Sequence, residues 1–239
     1  MNLTQLIHRN SVYVFFGMLA FAVWAFWATY FAVDIVLPME HVHGIAMFAW
    51  CCLLISQAGL IRVGRRDLHR QAGRLSYFLV PVIALSTLLL AHDKITLRGV
   101  EGPGPLILCL QLLLLVQFLA IYWLAIRNRR TPDVHARYMV ATVFPMIDPI
   151  FNRILSIPLA AHWPILEELA LPITFGATLL LVLTLIVVDW RSGYGKPVFL
   201  RSLAVVIPTQ AAILALLVSP AYMNLWRQIA SWYAGLPFP

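Results

Sequence analysis

The chain is 239 residues long, and 62% of its residues are hydrophobic while only 11% are charged. Water-soluble domains average about 45–50% apolar and about 25% charged residues, so this composition excludes a soluble globule, a disordered chain and a disulfide-rich secreted scaffold. The formal net charge of +7 fits either a nucleic-acid partner or a membrane topology with basic loops on one side. Because the chain is so apolar, the membrane topology is the first explanation to consider.

Seven apolar segments are long enough to cross a bilayer, which takes roughly 20 residues at about 1.5 Å each. The connections between them are short, so segments adjacent in sequence are expected to pack as antiparallel pairs. The sequence therefore predicts an all-α fold, a single polytopic helix bundle over residues 1–239 with seven transmembrane helices. In chain order the predicted spans are 11–33, 43–61, 75–91, 106–126, 139–159, 169–188 and 202–218.

Basic residues are distributed unevenly between the two ends of this predicted bundle. Thirteen of the 17 Lys and Arg residues fall on the side of the N-terminus, three fall on the opposite side, and Arg153 lies inside the fifth span. Because basic loops stay in the cytoplasm, we expect a cytoplasmic N-terminus. The lipid bilayer then explains the positive charge without nucleic acid, and a membrane-protein partner or a homo-oligomer is compatible with the sequence.

The segment after the seventh span has apolar and aromatic residues at helical spacing. It covers residues 221–236, and an amphipathic helix lying in the outer interface is predicted there. Aromatic rings at headgroup depth are typical of a membrane anchor. The residues that carry this pattern are Tyr222, Leu225, Trp226, Ile229, Trp232 and Tyr233.

Four histidines fall near the outer ends of the predicted spans, namely His41, His43, His92 and His162. The second and third spans form one hairpin, so His43 and His92 are expected at similar depth, and His41 can join them if the chain is still extended after Pro38. Neutral imidazoles with carboxylates nearby are ligands that transition metals prefer, which predicts a metal site at the outer face. The alternative is that they are interface histidines bonded to water and lipid headgroups.

The fifth predicted span contains charged and helix-breaking residues. Asp148 lies near its centre, Arg153 lies about 7–8 Å further toward the outside, and Pro145 and Pro149 each leave a carbonyl without a helical partner. A charge at this depth costs at least about 2.5–3.5 kcal/mol, so this face must turn toward the bundle interior or a wet cavity. We expect a polar cavity that opens outward, with Asp148, Asn152 and Arg153 as candidate catalytic groups.

Asp148 has three candidate roles in such a cavity: proton carrier, metal ligand or partner of Arg153. The alternative is a buried structural ion pair that fixes helix packing. Four glutamines within the spans either extend the polar interior or hydrogen-bond between helices. They are Gln57, Gln111, Gln117 and Gln210.

Two predicted cytoplasmic loops carry a similar short sequence, which indicates an internal duplication as one possibility. Asp67-Leu68-His69-Arg70 precedes the third span, and Asp133-Val134-His135-Ala136-Arg137 precedes the fifth span 66 residues later. The first run continues to Gly73-Arg74, which completes a His-Arg-x-x-Gly-Arg motif.

Residues 41–153 resemble a family of bacterial multi-span membrane proteins of unknown function. Besides this motif, the resemblance rests on His43-Gly44, Gln57 and the later run His135-Ala136-Arg137-Tyr138-Met139. That family is loosely similar to haem-related membrane proteins, including oxidase-assembly factors and dihaem transmembrane cytochromes. The resemblance implies a helical membrane bundle and makes His69 and His135 candidate cofactor ligands. Because both lie in loops outside the predicted spans, the alternative is a helix-entry role in which His69 and its arginines meet anionic lipid headgroups.

These patterns favour an integral inner-membrane protein that binds a transition metal ion or haem near its outer face. Such a protein would act in membrane redox chemistry or in the assembly of a respiratory complex. One alternative is a small proton-coupled transporter or channel that uses the charged, proline-kinked fifth span. A second alternative is a structural subunit of a membrane complex, with no site of its own.

Overall fold

Helices dominate the computed structural model, which describes residues 3–32 and 36–238. Ten α-helices follow one another, and this described part contains no β-strand. Short π-helical segments, Trp27–Phe31 and Leu155–Leu159, continue the first and seventh of them. The helices are α1 (Leu3–Phe26), α2 (Pro38–Arg62), α3 (Arg66–Gly73), α4 (Ser76–Arg98), α5 (Gly104–Arg127), α6 (Pro132–Ala141), α7 (Phe144–Ile154), α8 (Ile165–Arg191), α9 (Val198–Val218) and α10 (Pro220–Ala234).

Seven helical stretches are long and apolar enough to cross a membrane, which confirms the predicted all-α bundle. The chain is therefore a multi-pass membrane protein, and each predicted span overlaps one of these stretches. They are Asn10–Phe31, Pro38–Arg62, Arg66–Arg98, Gly104–Arg127, Pro132–Leu159, Ile165–Arg191 and Val198–Val218.

The spans pack side by side in a closed arrangement. Contacts run from α1 to α2, α4, α5, α9, α8 and α7 in that order, and α7 packs on α1 again. The fifth span, made of α6 and α7, also contacts α5, and α6 contacts α9. Because its neighbours enclose it on several sides, the polar residues of this span face other helices.

The fifth span is broken in two, whereas one kinked helix was predicted over 139–159. α6 ends at Ala141 and α7 begins at Phe144, directly before Pro145. Pro145 has no N–H to donate to the carbonyl of Ala141, and a proline fits the first turn of a helix, where a missing N–H needs no partner. Pro149 lies inside α7, and the π-helical segment after α7 contains Pro158. The prolines therefore bend this span at several points.

The C-terminal helix α10 exists close to its predicted bounds, but it is docked on the bundle. Trp226, Ala230 and Tyr233 are buried, and α10 packs against α4, α5 and α9. The Tyr233 hydroxyl donates a 2.9 Å hydrogen bond to the carbonyl oxygen of Leu88. An anchor lying in the outer interface was predicted, and two large apolar residues of the predicted pattern, Leu225 and Trp232, remain exposed for such a role while the opposite side of the helix packs on the protein.

A buried ion pair ties the fifth span to the sixth at the basic end of the bundle, which is the end predicted to be cytoplasmic. Arg137 is 1% exposed and donates to both carboxylate oxygens of Asp189 at 2.8 to 3.1 Å. Its guanidinium lies 3.5 Å from the ring centroid of Tyr194. Burial raises the pKa of the Tyr194 phenol, so the ring beside the guanidinium stays neutral. Arg137 was assigned to a solvent-facing loop from the sequence, and that assignment is corrected here.

Candidate functional site

The four outer histidines each have a different partner. His41 Nδ1 lies 2.7 Å from the Tyr30 hydroxyl, and His43 Nδ1 lies 3.2 Å from Ser86 Oγ. The other two bond to backbone carbonyls: His92 Nε2 lies 3.3 Å from Ala234 O, and His162 Nδ1 lies 3.3 Å from Pro158 O. These partners hold the four rings at separate places on the outer part of the bundle.

Two features of the helices explain why these histidines do not converge. α2 is already helical from Pro38, so His41 and His43 point about 200° apart instead of sharing an extended entry. α4 runs on to Arg98, and His43 meets α4 at Ser86, six residues or about 9 Å before His92. His43 and His92 therefore have separate partners and do not face each other. In the described part of the chain no group of three or more His, Cys, Asp or Glu side chains is placed to hold a metal ion.

Charged side chains do gather near His43. Glu40 forms an ion pair with Lys94, which ties α2 to α4. Arg153 donates a 3.2 Å hydrogen bond to the carbonyl of Pro149, one turn earlier on the same helix. The guanidinium of Arg153 lies 4.2 Å from the centroid of the Phe26 ring on α1. These contacts involve side chains of α1, α2, α4 and α7 at the outer end of the bundle.

Asp148 lies in the packed interior, with partners on two other helices. It is 1% exposed, so the expected cavity open to the outside does not reach it. Thr178 Oγ1 on α8 donates to its Oδ1 at 2.7 Å, and Gln210 Nε2 on α9 lies 3.3 Å from its Oδ2. No ion pair joins Asp148 to Arg153 within the described residues, so the structural ion pair weighed as an alternative is not formed. Asn152 lies one turn further along α7 and is half-buried, and within the described residues it forms no hydrogen bond with Asp148.

The polar interior continues from Asp148 to α5. Thr209, next to Gln210 on α9, donates a 2.7 Å hydrogen bond to Gln117 Oε1. Gln117 is fully buried and Gln210 is 2% exposed. Gln117 and Gln210 are buried and bond to side chains of other helices, which fits both interpretations given from the sequence, while Gln57 lies at the other end of the molecule. Thr178 was not singled out, because threonines are frequent in apolar spans and nothing in its spacing distinguishes it.

At the basic end, the structure brings His69 and His135 together. Their ring centroids are 6.5 Å apart, with the ring planes at 83°. His69 belongs to the short helix α3 and His135 to α6, so neither lies in an irregular loop as predicted. Both side chains are partly buried.

Each of these imidazoles is held by the backbone of the span that precedes it. His135 Nδ1 donates to the carbonyl oxygen of Ala125 at 2.9 Å, and His69 Nδ1 lies 3.4 Å from the carbonyl oxygen of Gln57. The two histidines follow those carbonyls by 10 and 12 residues. The similar short sequences around His69 and His135 thus adopt a similar local arrangement, and their Nδ1 atoms face protein groups.

The side-chain amide of Gln57 adds a second contact to His69. With the amide oriented to suit its neighbours, its nitrogen lies 2.7 Å from His69 Nδ1 and donates to the His69 carbonyl at 3.0 Å, while its oxygen accepts from the Gly73 N–H at 3.3 Å. Gln57 therefore docks α3 on α2. Since Nδ1 has both an amide donor and a carbonyl acceptor within reach, either neutral tautomer of His69 has a partner.

Searches against protein-family models, curated proteins and solved structures return no match.

Proposed function

We propose that this protein binds haem or a transition metal ion through His69 and His135, at the basic end of the bundle and not at the outer face. In this proposal it resides in a bacterial inner membrane and serves membrane redox chemistry or the assembly of a respiratory complex. The observation that carries the proposal is the 6.5 Å separation of the two ring centroids. The site rests on two histidines from separate short helices.

That separation suits two imidazoles that ligate one metal from opposite sides. A metal–imidazole bond is about 2.0–2.1 Å and a ring nitrogen lies about 1 Å from its centroid, so the two centroids would be about 6 Å apart. Either ring can turn about its metal–nitrogen bond without changing this separation, so the angle of 83° between the planes is compatible with ligation.

The hydrogen bonds to Nδ1 support the same role. Metal-ligating histidines usually donate their other ring N–H to a backbone carbonyl or a carboxylate, which fixes the ring and leaves one nitrogen for the metal. Ala125 O provides this acceptor for His135. For His69 the acceptor is the backbone carbonyl of Gln57 at 3.4 Å, and the Gln57 side-chain amide, whose nitrogen lies 2.7 Å from Nδ1, must turn away when Nδ1 carries the proton. His135 is thereby held in the tautomer whose Nε2 carries a lone pair.

The number of protein ligands favours haem or a two-coordinate ion such as Cu(I) over zinc. Structural zinc takes four protein ligands, and the described residues provide no set of even three. A porphyrin supplies four nitrogens of its own, so haem iron needs only two axial imidazoles. The basic loops at this end of the bundle would also attract the two carboxylates of a haem.

The test is cofactor binding by purified protein in detergent. Wild type is measured as isolated and after titration with iron protoporphyrin IX or with Cu(I), by absorption spectrum and elemental analysis. His69→Ala and His135→Ala should each weaken binding at least about tenfold, because each removes half of the protein ligand set. The matched controls are His41→Ala and His162→Ala, which remove exposed histidines at the opposite end and should bind like wild type.

Two results would overturn the proposal. One is wild-type protein that takes up neither probe. The other is binding that survives in both His69→Ala and His135→Ala but is lost in His43→Ala or His92→Ala, since this would return the site to the outer face. Elution volume and thermal midpoint of each variant separate loss of a ligand from loss of the fold.

A further inference from the structure

Asp148 lies near the middle of α7, and its carboxyl group is buried among uncharged partners. Its Oδ1 accepts a 2.7 Å hydrogen bond from Thr178, whereas the contact of its Oδ2 is a longer 3.3 Å approach from Gln210 Nε2. A carboxylate taken out of water without a cationic partner is costly, and such groups are neutralised by taking up a proton.

Within the described residues, no charged side chain forms a hydrogen bond or an ion pair with Asp148. Arg153 on α7 itself contacts the ring of Phe26 from α1, and Asp189 on α8 is paired with Arg137. Cys109 on α5 lies in a separate apolar cluster at the outer end. The groups that bond Asp148 are thus the uncharged side chains of Thr178 and Gln210.

Two buried amide atoms lack a hydrogen-bond partner, one on Gln210 beside this carboxyl and one on Gln117 of α5. Gln210 Oε1 is unpartnered although its own Nε2 faces Asp148, and Gln117 Nε2 is unpartnered although its Oε1 accepts from Thr209. Unsatisfied buried polar atoms cost about 1–3 kcal/mol each, so they are rare in packed interiors unless a ligand or a rearrangement satisfies them. Here an unpartnered acceptor belongs to the same amide that touches Oδ2.

We propose that Asp148 and Gln210 form a binding site for one exchangeable proton in the middle of the bundle. The proton binds Oδ2 of Asp148. The Gln210 amide then turns by about 180°, so that its Oε1, which has no partner when the carboxylate is charged, accepts a hydrogen bond from the new O–H. Thr178 continues to donate to Oδ1 in both states.

The donors around Asp148 distinguish a proton site from a metal-cation site. A bound Na⁺ or Ca²⁺ requires several oxygen atoms aimed at one point. Around Asp148, Thr178 Oγ1 and Gln210 Nε2 instead direct hydrogens at the carboxylate. This arrangement stabilises the charged form of Asp148 until a proton replaces one of the donors, and it is the element that a proton-coupled transporter needs.

Infrared difference spectroscopy of the full protein in lipid vesicles tests the proposal. A pH step should produce a C=O stretching band of a protonated carboxyl group, and transfer to D₂O should shift that band because the proton exchanges. Asp148→Asn, which keeps the shape of the side chain, should remove the band, and Asp148→Glu should restore a displaced one. Asp67→Asn, which removes an exposed carboxylate at the basic end, should leave the band unchanged.

Gln210→Leu provides a second readout that a purely structural role would not change. Without the amide acceptor the protonated carboxyl loses a hydrogen bond, so the band should move to higher frequency. The proposal is overturned if no band depends on Asp148 at any pH between 4 and 9, a range of about 5 units around neutrality. It is also overturned if NaCl at constant pH removes the band, because the site would then bind a metal cation. Haem and copper binding should be unchanged in Asp148→Asn, so this test is independent of the His69–His135 site.

Discussion

Arg137 and Asp189 show what a charged residue requires in the interior of this bundle. The guanidinium of Arg137 donates to both oxygens of the Asp189 carboxylate, covers the Tyr194 ring and donates to the carbonyl of Asp133. Asp148 is buried just as deeply, yet its partners are a hydroxyl and an amide. The first residue pair is therefore suited to holding helices together, and Asp148 is suited to changing its charge.

Removing one member of the Arg137–Asp189 pair should destabilise the fold strongly. Asp189→Ala leaves a buried guanidinium without its counter-charge, and we expect a loss of about 3–5 kcal/mol in unfolding free energy. Asp67→Ala breaks the exposed Arg70–Asp67 pair and should cost less than about 1 kcal/mol. Chemical unfolding in detergent measures both, and equal losses would show that burial of the Arg137–Asp189 pair is irrelevant to its role.

At the scale of elements, the short helices and helix breaks determine where functional side chains lie. α3 and α6 were predicted as loops, and their helical geometry brings His69 and His135 together. On α4, His92 lies six residues beyond Ser86, the residue that His43 contacts. Because α10 docks on the bundle, His92 lies within hydrogen-bonding distance of the carbonyl of Ala234. The way these elements pack depends on contacts between distant segments, so even the periodicity that predicted α10 as a helix did not reveal where it docks.

The docking of α10 predicts a sensitive position at Ala230, which is fully buried. Ala230→Leu inserts a larger side chain into this contact, and overpacking should cost about 1–3 kcal/mol locally. We expect tryptic cleavage after Arg227 to become faster, since cleavage requires the helix to leave the bundle.

The control for Ala230 is Ala221→Leu, an exposed position on the same helix that should cleave at the wild-type rate. Unchanged cleavage in Ala230→Leu would mean that α10 is not held by this contact.

At the scale of the whole molecule, the sequence was sufficient for the bundle but not for its sites. Span length and apolarity predicted seven crossings because a lipid environment leaves few other solutions for the backbone. Asp148 was placed in the interior correctly, because a charge in a span must avoid lipid. The sequence cannot give its partners Thr178 and Gln210, since helix rotation and order in the bundle decide which side chains meet.

The central claim is that His69 and His135 bind one metal centre jointly. X-ray absorption at the iron or copper edge of the loaded protein counts the imidazole ligands directly. We predict scattering from two imidazoles in wild type, from one in His69→Ala and from one in His135→Ala, with no change in His162→Ala. A centre whose imidazole count is the same in wild type and in both variants would contradict the claim.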